Sequence, residues 1–485
     1  MITLKIDKNE KHSISPYLYM QFMEPLGTCD SSVDAAWNFE KEDWHESVVE
    51  KTKELAPTMI RFGGCFASYY HWKEAIGPQE KRIPMYNDVW GGMYYNQVGT
   101  HELVDFCRRV GAEPLIVANM ESEGQDFWQN PTKGISRKGT VEEAVEWIDY
   151  CNNPDNALRI ANGAEEPFNV KYWQIGNETS YSVRGQIGFT SDQCQEASSR
   201  FASAMKKADP NIKLIAWGDK ILTWSNKSIA PDDTWRSKMS RIDEVDMIAF
   251  HHHFNSGLPD CPLSGTDYRI DPENTWVHFM NAYKSMETEI ARMRTDLNGK
   301  RLAMTEGHFS FPGKNRGTSL TTWGAGVAYA RCHNVIMRNS DVLDIATLAD
   351  FCGNTWQSNA LMIPTPIHTG EPYLMPVGSI MALFGRHQGK QAVDISYSGS
   401  IDAVASRTGN EIFIHVANTD MYGAQTLKLD IGCPIKSAKM EYIAKNPMEE
   451  VTIVNPRVFD TEEMVIEGDT VTLPAAAVAA IRISF

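Results

Sequence analysis

Two glutamates stand at the ends of short apolar segments, where their carboxylates could do chemistry. Residues 170–178 read VKYWQIGNE, an apolar run followed at once by Asn177 and Glu178. Residues 301–307 read RLAMTEG, a second apolar run that ends at Glu306. Two carboxylates on facing strands can cleave a glycosidic bond, one as nucleophile and one as acid and then base, when they lie about 5 to 5.5 Å apart. We expect the two glutamates to meet in space.

The elements that would position these glutamates form a regular alternation of strands and helices. Eight predicted strands, each associated with a helical segment, extend over residues 13–371. This alternation predicts a parallel sheet closed as a (β/α)8 TIM barrel, whose site lies where the carboxyl ends of the strands meet. The predicted strand ends supply eight polar side chains, namely Glu24, Arg61, Asn119, Asn177, Glu178, His251, His253 and Glu306. Such groups suit a neutral polyol such as a sugar.

The pattern of the sequence changes near Pro372. From there to residue 485, short segments of alternating polar and apolar residues, such as 411–416 (EIFIHV), are separated by turn residues. This pattern predicts a C-terminal antiparallel β-sandwich over residues 372–485. The first residues show the same alternation, so residues 1–12 are predicted to leave the barrel and add a strand to the sandwich.

Composition and charge argue against several classes of partner. The 485 residues carry 46 basic and 62 acidic side chains, a formal charge of −16, which disfavours nucleic acid and anionic membranes as partners. No apolar run approaches the roughly 18 to 20 residues of a membrane span, and no GxGxxG or phosphate-binding loop follows a strand. We therefore expect a carbohydrate substrate and no cofactor.

The cysteines and the amino terminus bear on location. The nine cysteines include no CxxC pair and no zinc-type spacing with histidine, so we interpret them as reduced and mostly structural. The first residues lack the basic, apolar and small-residue regions of a secretory signal. Together these observations favour a cytoplasmic location.

Further segments are similar to those of one known family. They are 14–19 ISPYLY, 21–27 QFMEPLG, 60–66 IRFGGCF, 70–72 YHW, 76–78 IGP, 111–114 GAEP, 146–152 EWIDYCN and 208–210 ADP. With these segments and the two glutamate motifs, the chain resembles the retaining glycoside hydrolases with a (β/α)8 barrel, and among them the α-L-arabinofuranosidases of glycoside hydrolase family 51. The architecture of that family is also a barrel with a C-terminal sandwich.

The resemblance implies a role for each matched position. Glu178 would be the general acid/base, Glu306 the nucleophile, and Asn177 the partner of the sugar 2-hydroxyl. Glu24 and Arg61 would help to hold the terminal sugar or the nucleophile. The activity implied is that of a retaining exo-glycosidase acting on arabinofuranosyl units of plant-type saccharides, and the family also suggests a homo-oligomer.

The chain departs from the family pattern beside the site. The family's Pro-Gly-Gly-Asn is replaced by residues 63–65 (GGC), its His-x-Tyr by residues 251–253 (HHH), and its Asp-Glu-Trp by residues 305–307 (TEG). These changes are compatible with retaining chemistry, but they leave more than one sugar as the candidate substrate. Alternatives are a β-xylosidase, a galactose- or fucose-directed enzyme, an endoglucanase, or a sugar-binding paralogue without turnover.

Structural alternatives stay open for several of these residues. Arg61 could be a buried ion-pair arginine, Glu24 a structural carboxylate, and Cys65 a small residue lining the pocket. Alternate strand residues face opposite sides, so His251 and His253 could point inward together and bind a metal, but the resemblance implies sugar contacts and we predict no metal. Tryptophans in predicted loops could stack on a sugar or form a hydrophobic lid, namely Trp90, Trp128, Trp224 and Trp323.

Overall fold

A computed structural model of the protein describes residues 1–87, 90–122, 137–180, 182–183, 186–220, 233–310 and 317–485. Trp128 and Trp224 lie outside the described residues. Within the described residues, eight strands form a central parallel sheet. Numbered in chain order as the first to the eighth barrel strand, these strands are Met20–Met23, Met59–Phe62, Glu113–Ala118, Tyr172–Ile175, Lys213–Trp217, Met247–Phe254, Arg301–Phe309 and Leu343–Ile345.

This sheet closes on itself. Each of the first seven strands pairs in parallel with the next one along the chain. The eighth strand then meets the first, because Tyr17 forms a parallel bridge with Ile345 and the amide of Met20 donates to the carbonyl of Ala346 at 3.0 Å. All eight carboxyl ends therefore point to the same mouth of the barrel.

Helices cover the outside of the barrel. Those that alternate with its strands are Glu46–Leu55, Thr100–Val110, Val141–Asn152, Ser191–Ala208, Thr234–Met239, Pro272–Asn281, Tyr283–Met293 and Trp323–Arg338. The helix Thr100–Val110 buries one stripe of apolar side chains, namely Leu103, Val104, Phe106, Cys107 and Val110. Residues 272–293 form two helices rather than one, because the amides of Ala282 and Ser285 donate to the carbonyl three residues back, which tightens the chain between them.

Shorter elements decorate the mouth and the edge of the sheet. Strands Asp350–Gly353, Asn359–Met362 and Tyr373–Leu374 continue the sheet beside the first barrel strand. Two small hairpins pair Trp37–Asn38 with Asp43–Trp44 and Met85–Tyr86 with Met93–Tyr94. The second hairpin lies within the aromatic insert of residues 68–98, which follows the second barrel strand.

Nine strands form the sandwich, within the part of the chain that is described. They are Ile2–Asp7, Gln391–Ser396, Ile401–Thr408, Glu411–Asn418, Gln425–Asp430, Ser437–Ile443, Glu462–Ile466, Thr470–Leu473 and Val478–Ser484. The amino-terminal strand pairs antiparallel with Gln391–Ser396 but parallel with Gln425–Asp430, so the prediction of a purely antiparallel sandwich is wrong at this pair. A strand that no hairpin ties to its neighbours can enter a sheet in either direction.

The junction of barrel and sandwich holds a further helix and a buried tryptophan. Helix Pro376–Arg386 packs on Trp323–Arg338, and strand Tyr373–Leu374 before it still belongs to the barrel sheet. The C-terminal sandwich strands therefore begin only at Gln391. Trp323 is fully buried, its indole N–H donates to the carbonyl of Ala476 at 2.7 Å, and its ring packs on Phe459. The prediction that Trp323 lies in a substrate-binding loop is wrong, because the sandwich covers it.

No helix in the described part of the chain is both long enough and apolar enough to cross a membrane. The nine cysteines all lie among the described residues, and no disulfide joins any two of them.

Candidate active site

One arginine organises the mouth of the barrel. Arg61, in the second barrel strand, is fully buried. Its Nε donates to Gln174 Oε1 at 3.0 Å, its Nη1 to Glu306 Oε1 at 2.9 Å and its Nη2 to Asn177 Oδ1 at 2.6 Å. A planar guanidinium presents its donors in a rigid fork, so Arg61 fixes side chains from the fourth and seventh strands in one plane of contacts.

The two glutamates meet as the sequence predicts. A carboxylate oxygen of Glu178, one of Glu306 and a ring nitrogen of His251 all lie within 4.8 Å of one another. Both carboxylates are buried. This separation is close to the roughly 5 to 5.5 Å that retaining glycosidases use and shorter than the roughly 6.5 Å or more of inverting ones.

The two carboxylates have different surroundings. Glu306 forms an ion pair with Arg61, whereas the hydrogen bond of Glu178 is with His251 Nδ1, at 2.9 Å. Burial raises the pKa of Glu178 to about 7; the charge of Arg61 acts in the opposite direction and that of Asp219 adds to the increase. Glu178 can therefore hold a proton near neutral pH.

His251 connects the two strands that carry the glutamates. A register shift after Phe250 brings His251 opposite Glu306. Its Nδ1 lies 2.9 Å from Glu178 and 3.4 Å from Glu306 Oε2, and its Nε2 lies 3.0 Å from the hydroxyl of Thr305. Burial lowers the pKa of His251 to about 4 although Glu306 opposes this, so the ring is neutral at neutral pH. Both ring nitrogens already have protein partners, which favours an orienting role over metal binding.

Glu24, directly after the first barrel strand, is a third buried glutamate of the site. Trp90 Nε1 donates to Glu24 Oε1 at 3.1 Å, and a side chain at Gly64 would meet the Glu24 carboxyl carbon at 2.2 Å. Gly64 has φ +125°, so glycine is needed there for conformation as well as for space. Burial, and then the charge of Glu306, raise the pKa of Glu24 well above its usual value. Gly64, just after the second strand, therefore makes room for a buried carboxyl group whose pKa is raised.

Cys65 and His253 complete the rim of the carboxylates. Burial and then the charges of three glutamates raise the pKa of the Cys65 thiol, namely Glu24, Glu178 and Glu306. A nucleophilic thiolate at Cys65 is thus disfavoured. His253 Nε2 lies 3.9 Å from Glu306 Oε2, and its ring packs against His308 at 4.4 Å.

Two predicted positions do not join this cluster. Asn119 binds loop backbone, because its Nδ2 donates to the carbonyl of Arg137 at 3.1 Å and its Oδ1 accepts from the amide of Ser122 at 3.0 Å. Asn119 thus contacts the described backbone on either side of residues 123–136. Trp323 lies at the junction with the sandwich, as described above.

The structure adds residues that sequence reasoning missed. Three of them are buried. Gln174 contacts Arg61, and both Thr305 and Trp217 contact His251. Gln174 and Trp217 sit inside apolar runs that predict barrel strands, and this pattern gives no sign of a polar role. An inward-facing polar residue in such a run is the one signal that could have indicated Gln174.

Paired glutamates at the fourth and seventh strands of a barrel, at this separation, are the arrangement that retaining barrel glycoside hydrolases use, and the chain is similar to known proteins of that kind. Residues 51–256 match the family model of the α-L-arabinofuranosidase 1 domain. The chain is 34% identical over 213 residues to α-L-arabinofuranosidase C of Emericella nidulans, covering 42% of this chain and 39% of that protein.

A bacterial relative is also named as an arabinofuranosidase, and a solved structure shares the fold. The chain is 31% identical over 265 residues to an intracellular exo-α-(1→5)-L-arabinofuranosidase of Acetivibrio thermocellus, covering 52% of this chain and 48% of that protein. The curated matches thus span about half the length of these relatives or less. The α-L-arabinofuranosidase of Thermotoga maritima, solved with arabinose, shares the fold over 100% of both chains, with a TM-score of 0.76 and 24% identity. The predicted resemblance to α-L-arabinofuranosidases is confirmed.

Proposed function

We propose that this protein is a retaining exo-glycosidase that removes terminal α-L-arabinofuranosyl units from plant-type saccharides by double displacement. The observation that carries the proposal is the pair of buried carboxylates within 4.8 Å, of which Glu306 is bound to Arg61 and Glu178 to a neutral histidine. The sequence matches to arabinofuranosidases support the choice of sugar.

In the first step, Glu306 acts as the nucleophile. Its Oε1 is held by Arg61, so its Oε2 is the oxygen that attacks the anomeric carbon. The bond from that carbon to the leaving oxygen breaks, and Glu178 donates its proton to the leaving oxygen. The product is a glycosyl ester of Glu306 with a released, neutral aglycone.

In the second step, Glu178 acts as the base. It takes a proton from a water molecule, whose oxygen attacks the anomeric carbon and releases Glu306 as a carboxylate. Two inversions leave the configuration of the sugar unchanged. Because burial sets the pKa of Glu178 to about 7, the same group can give and take a proton near neutral pH.

Asn177 is placed to bind the sugar. Its Oδ1 accepts from Arg61, while its Nδ2 is buried and has no hydrogen-bond partner within the described residues. An unsatisfied buried N–H is costly, and a sugar hydroxyl would satisfy it. Glu24, His253 and Cys65 would contact the rest of the terminal ring, and a carbohydrate is the expected partner. Cytoplasmic location and homo-oligomerisation stay predictions; one relative is named intracellular.

Glu306→Gln tests the proposal. We expect the variant to lose about 10⁴-fold or more in turnover of an activated aryl α-L-arabinofuranoside, because the amide is a poor nucleophile. Glu289→Gln, at a buried glutamate on helix Tyr283–Met293, is the matched control and should retain activity. A rate near wild type for Glu306→Gln would refute its role. A panel of aryl xylosides, galactosides and fucosides tests the sugar, and proton NMR of the first product anomer tests retention.

A further inference from the structure

The backbone at the proposed acid/base is held in an uncommon conformation. Gly176 has φ +72° and Glu178 has φ +45°, so the chain makes a left-handed turn as it leaves the fourth strand. A non-glycine residue in this region is disfavoured and persists only where its surroundings hold it. The turn also packs on itself, because a side chain at Gly176 would meet Thr179 Cγ2 at 2.7 Å. Some contact must therefore fix Glu178.

Ser180 supplies such a contact two residues later. Its buried hydroxyl donates to the carbonyl oxygen of Asp219 at 2.6 Å and accepts from Trp217 Nε1 at 2.9 Å. Both partners belong to the end of the fifth strand and the residues just after it. The hydroxyl of Ser180 thus ties the turn that carries Glu178 to the neighbouring barrel strand through two hydrogen bonds.

The same tryptophan leads back to the carboxylate. The ring of Trp217 meets the His251 ring edge-on with 4.7 Å between centroids, and His251 Nδ1 lies 2.9 Å from Glu178 Oε1. The contacts therefore form a closed ring that runs from Glu178 along the chain to Ser180, then to Trp217, to His251 and back to Glu178. Every member of this ring is buried.

We propose that Ser180 is a positioning residue for Glu178, which holds its carboxyl group where the leaving oxygen of the substrate will lie. The inference rests on the proposed function, in which Glu178 protonates that oxygen. Ser180 acts through the turn and through Trp217 rather than on the sugar. Losing its hydroxyl would free the turn to relax from the left-handed conformation, and a small displacement of an acid costs much of its effect.

The signature of this role is a dependence on the leaving group. The dinitrophenolate group of a dinitrophenyl arabinofuranoside leaves without being protonated, whereas the methoxy group of a methyl arabinofuranoside needs an acid to protonate its oxygen. For Ser180→Ala we expect kcat/KM to fall about 10- to 100-fold on the methyl glycoside and less than about 3-fold on the dinitrophenyl glycoside. General loss of structure would lower both alike.

Ser240→Ala is the matched control. Ser240 is also a fully buried serine, just after helix Thr234–Met239, and its hydroxyl donates to the carbonyl oxygen of Asp296 at 2.9 Å, away from the turn that carries Glu178. We expect it to leave the ratio between the two substrates unchanged. Ser180→Thr keeps the hydroxyl and should restore the ratio towards wild type.

Trp217→Phe gives a second route, should Ser180→Ala fold poorly in thermal unfolding. It removes the indole N–H that binds Ser180 but keeps an aromatic ring beside His251, and we expect the same selective loss in smaller degree. Equal losses on both substrates in Ser180→Ala and Trp217→Phe, or none, would overturn the inference. Glu178→Gln separates the two proposals, because it removes the acid itself. If Glu178→Gln loses no more activity on the methyl glycoside than on the dinitrophenyl glycoside, the proposed acid role of Glu178 is wrong. If Glu178→Gln loses activity selectively on the methyl glycoside and Ser180→Ala does not, only the proposed role of Ser180 is wrong.

Discussion

The two mouths of the barrel differ in how their charged side chains are paired. At the amino-terminal mouth, Asp246 pairs with Lys206 at 3.0 Å and Lys213 at 2.7 Å, and Arg301 pairs with Asp344 at 2.7 Å. Around these pairs lies a cavity of about 560 Å³. At the carboxyl-terminal mouth, Arg61 pairs with Glu306 at 2.9 Å, and its charge also acts on the buried carboxyl groups of Glu24 and Glu178.

The difference shows which end is built for stability and which for chemistry. Burial acts to raise the pKa of Asp246, but hydrogen bonds from Lys213, Leu214 and Lys206 outweigh it and leave the pKa below its usual value. At the other mouth, burial dominates and raises the pKa of Glu178 and of Glu24. Perturbation of this kind in a cleft is typical of functional sites. Four substitutions or titrations test the contrast.

Removing the shared arginine should have the largest effect. Arg61→Met leaves Glu306 buried without its cation, and breaking a buried pair from one side costs about 3 to 5 kcal/mol in the free energy of unfolding. We also expect at least about a 10³-fold loss of kcat, since the nucleophile loses its orientation. Denaturant unfolding and single-turnover kinetics measure the two effects. A stable, active Arg61→Met would show that the carboxylates do not depend on this charge.

Titration of Glu178 should be visible in both activity and stability. Its proton is needed to protonate leaving groups, so kcat/KM for a methyl glycoside should fall above about pH 7. The folded state holds this proton where the unfolded state has lost it, so stability falls as pH rises from about 4.5 to about 7, by up to about 3 kcal/mol.

Glu178→Gln should remove the fall of kcat/KM above about pH 7. It should also remove the fall of the unfolding free energy between about pH 4.5 and about pH 7. If the variant and the wild type show parallel stability curves over this window, Glu178 does not titrate there.

Loss of the indole donor to Glu24 should have a moderate effect. Trp90→Phe keeps a ring beside Trp356, which it meets at 5.3 Å, but removes the hydrogen bond to Glu24. One such bond contributes about 1 kcal/mol, so kcat/KM should fall about 5- to 10-fold, mostly through KM. Trp356→Phe, which removes an indole N–H without a described partner, is the control and should change kcat/KM less.

The smallest effect is expected at the amino-terminal mouth. Asp246→Asn weakens two half-exposed ion pairs and should lower the free energy of unfolding by about 1 kcal/mol at pH 7. Because the site lies at the other mouth, kcat should not change. A loss of kcat beyond the loss of folded protein would contradict the separation of the two ends.

How far the sequence predicts this molecule depends on where the determining contacts come from. The strands that end at Glu178 and Glu306 are readable because local apolar runs and the polar residues that follow them set both burial and exit point. Arg61 and His251 follow from the barrel rule, because parallel strands bring their carboxyl ends together.

Contacts that cross between distant segments are not readable in this way. Trp323 resembles a loop aromatic until residues 459 and 476 of the sandwich cover it. Ser180 resembles any loop serine, because its meaning comes from Trp217 and Asp219 on another strand. The parallel pairing of the first strand is equally invisible, since alternation of side chains is the same in either direction.

The amino-terminal strand has a consequence for how the protein is made. Ile2–Asp7 lies between Gln391–Ser396 and Gln425–Asp430, so it is synthesised long before either neighbour. Its apolar residues Ile2, Leu4 and Ile6 belong to the core of the sandwich. During synthesis they lack their neighbouring strands until the whole barrel has been made, so this sheet can be completed only after the barrel. A nascent chain stalled before residue 391 would present this strand to chaperones.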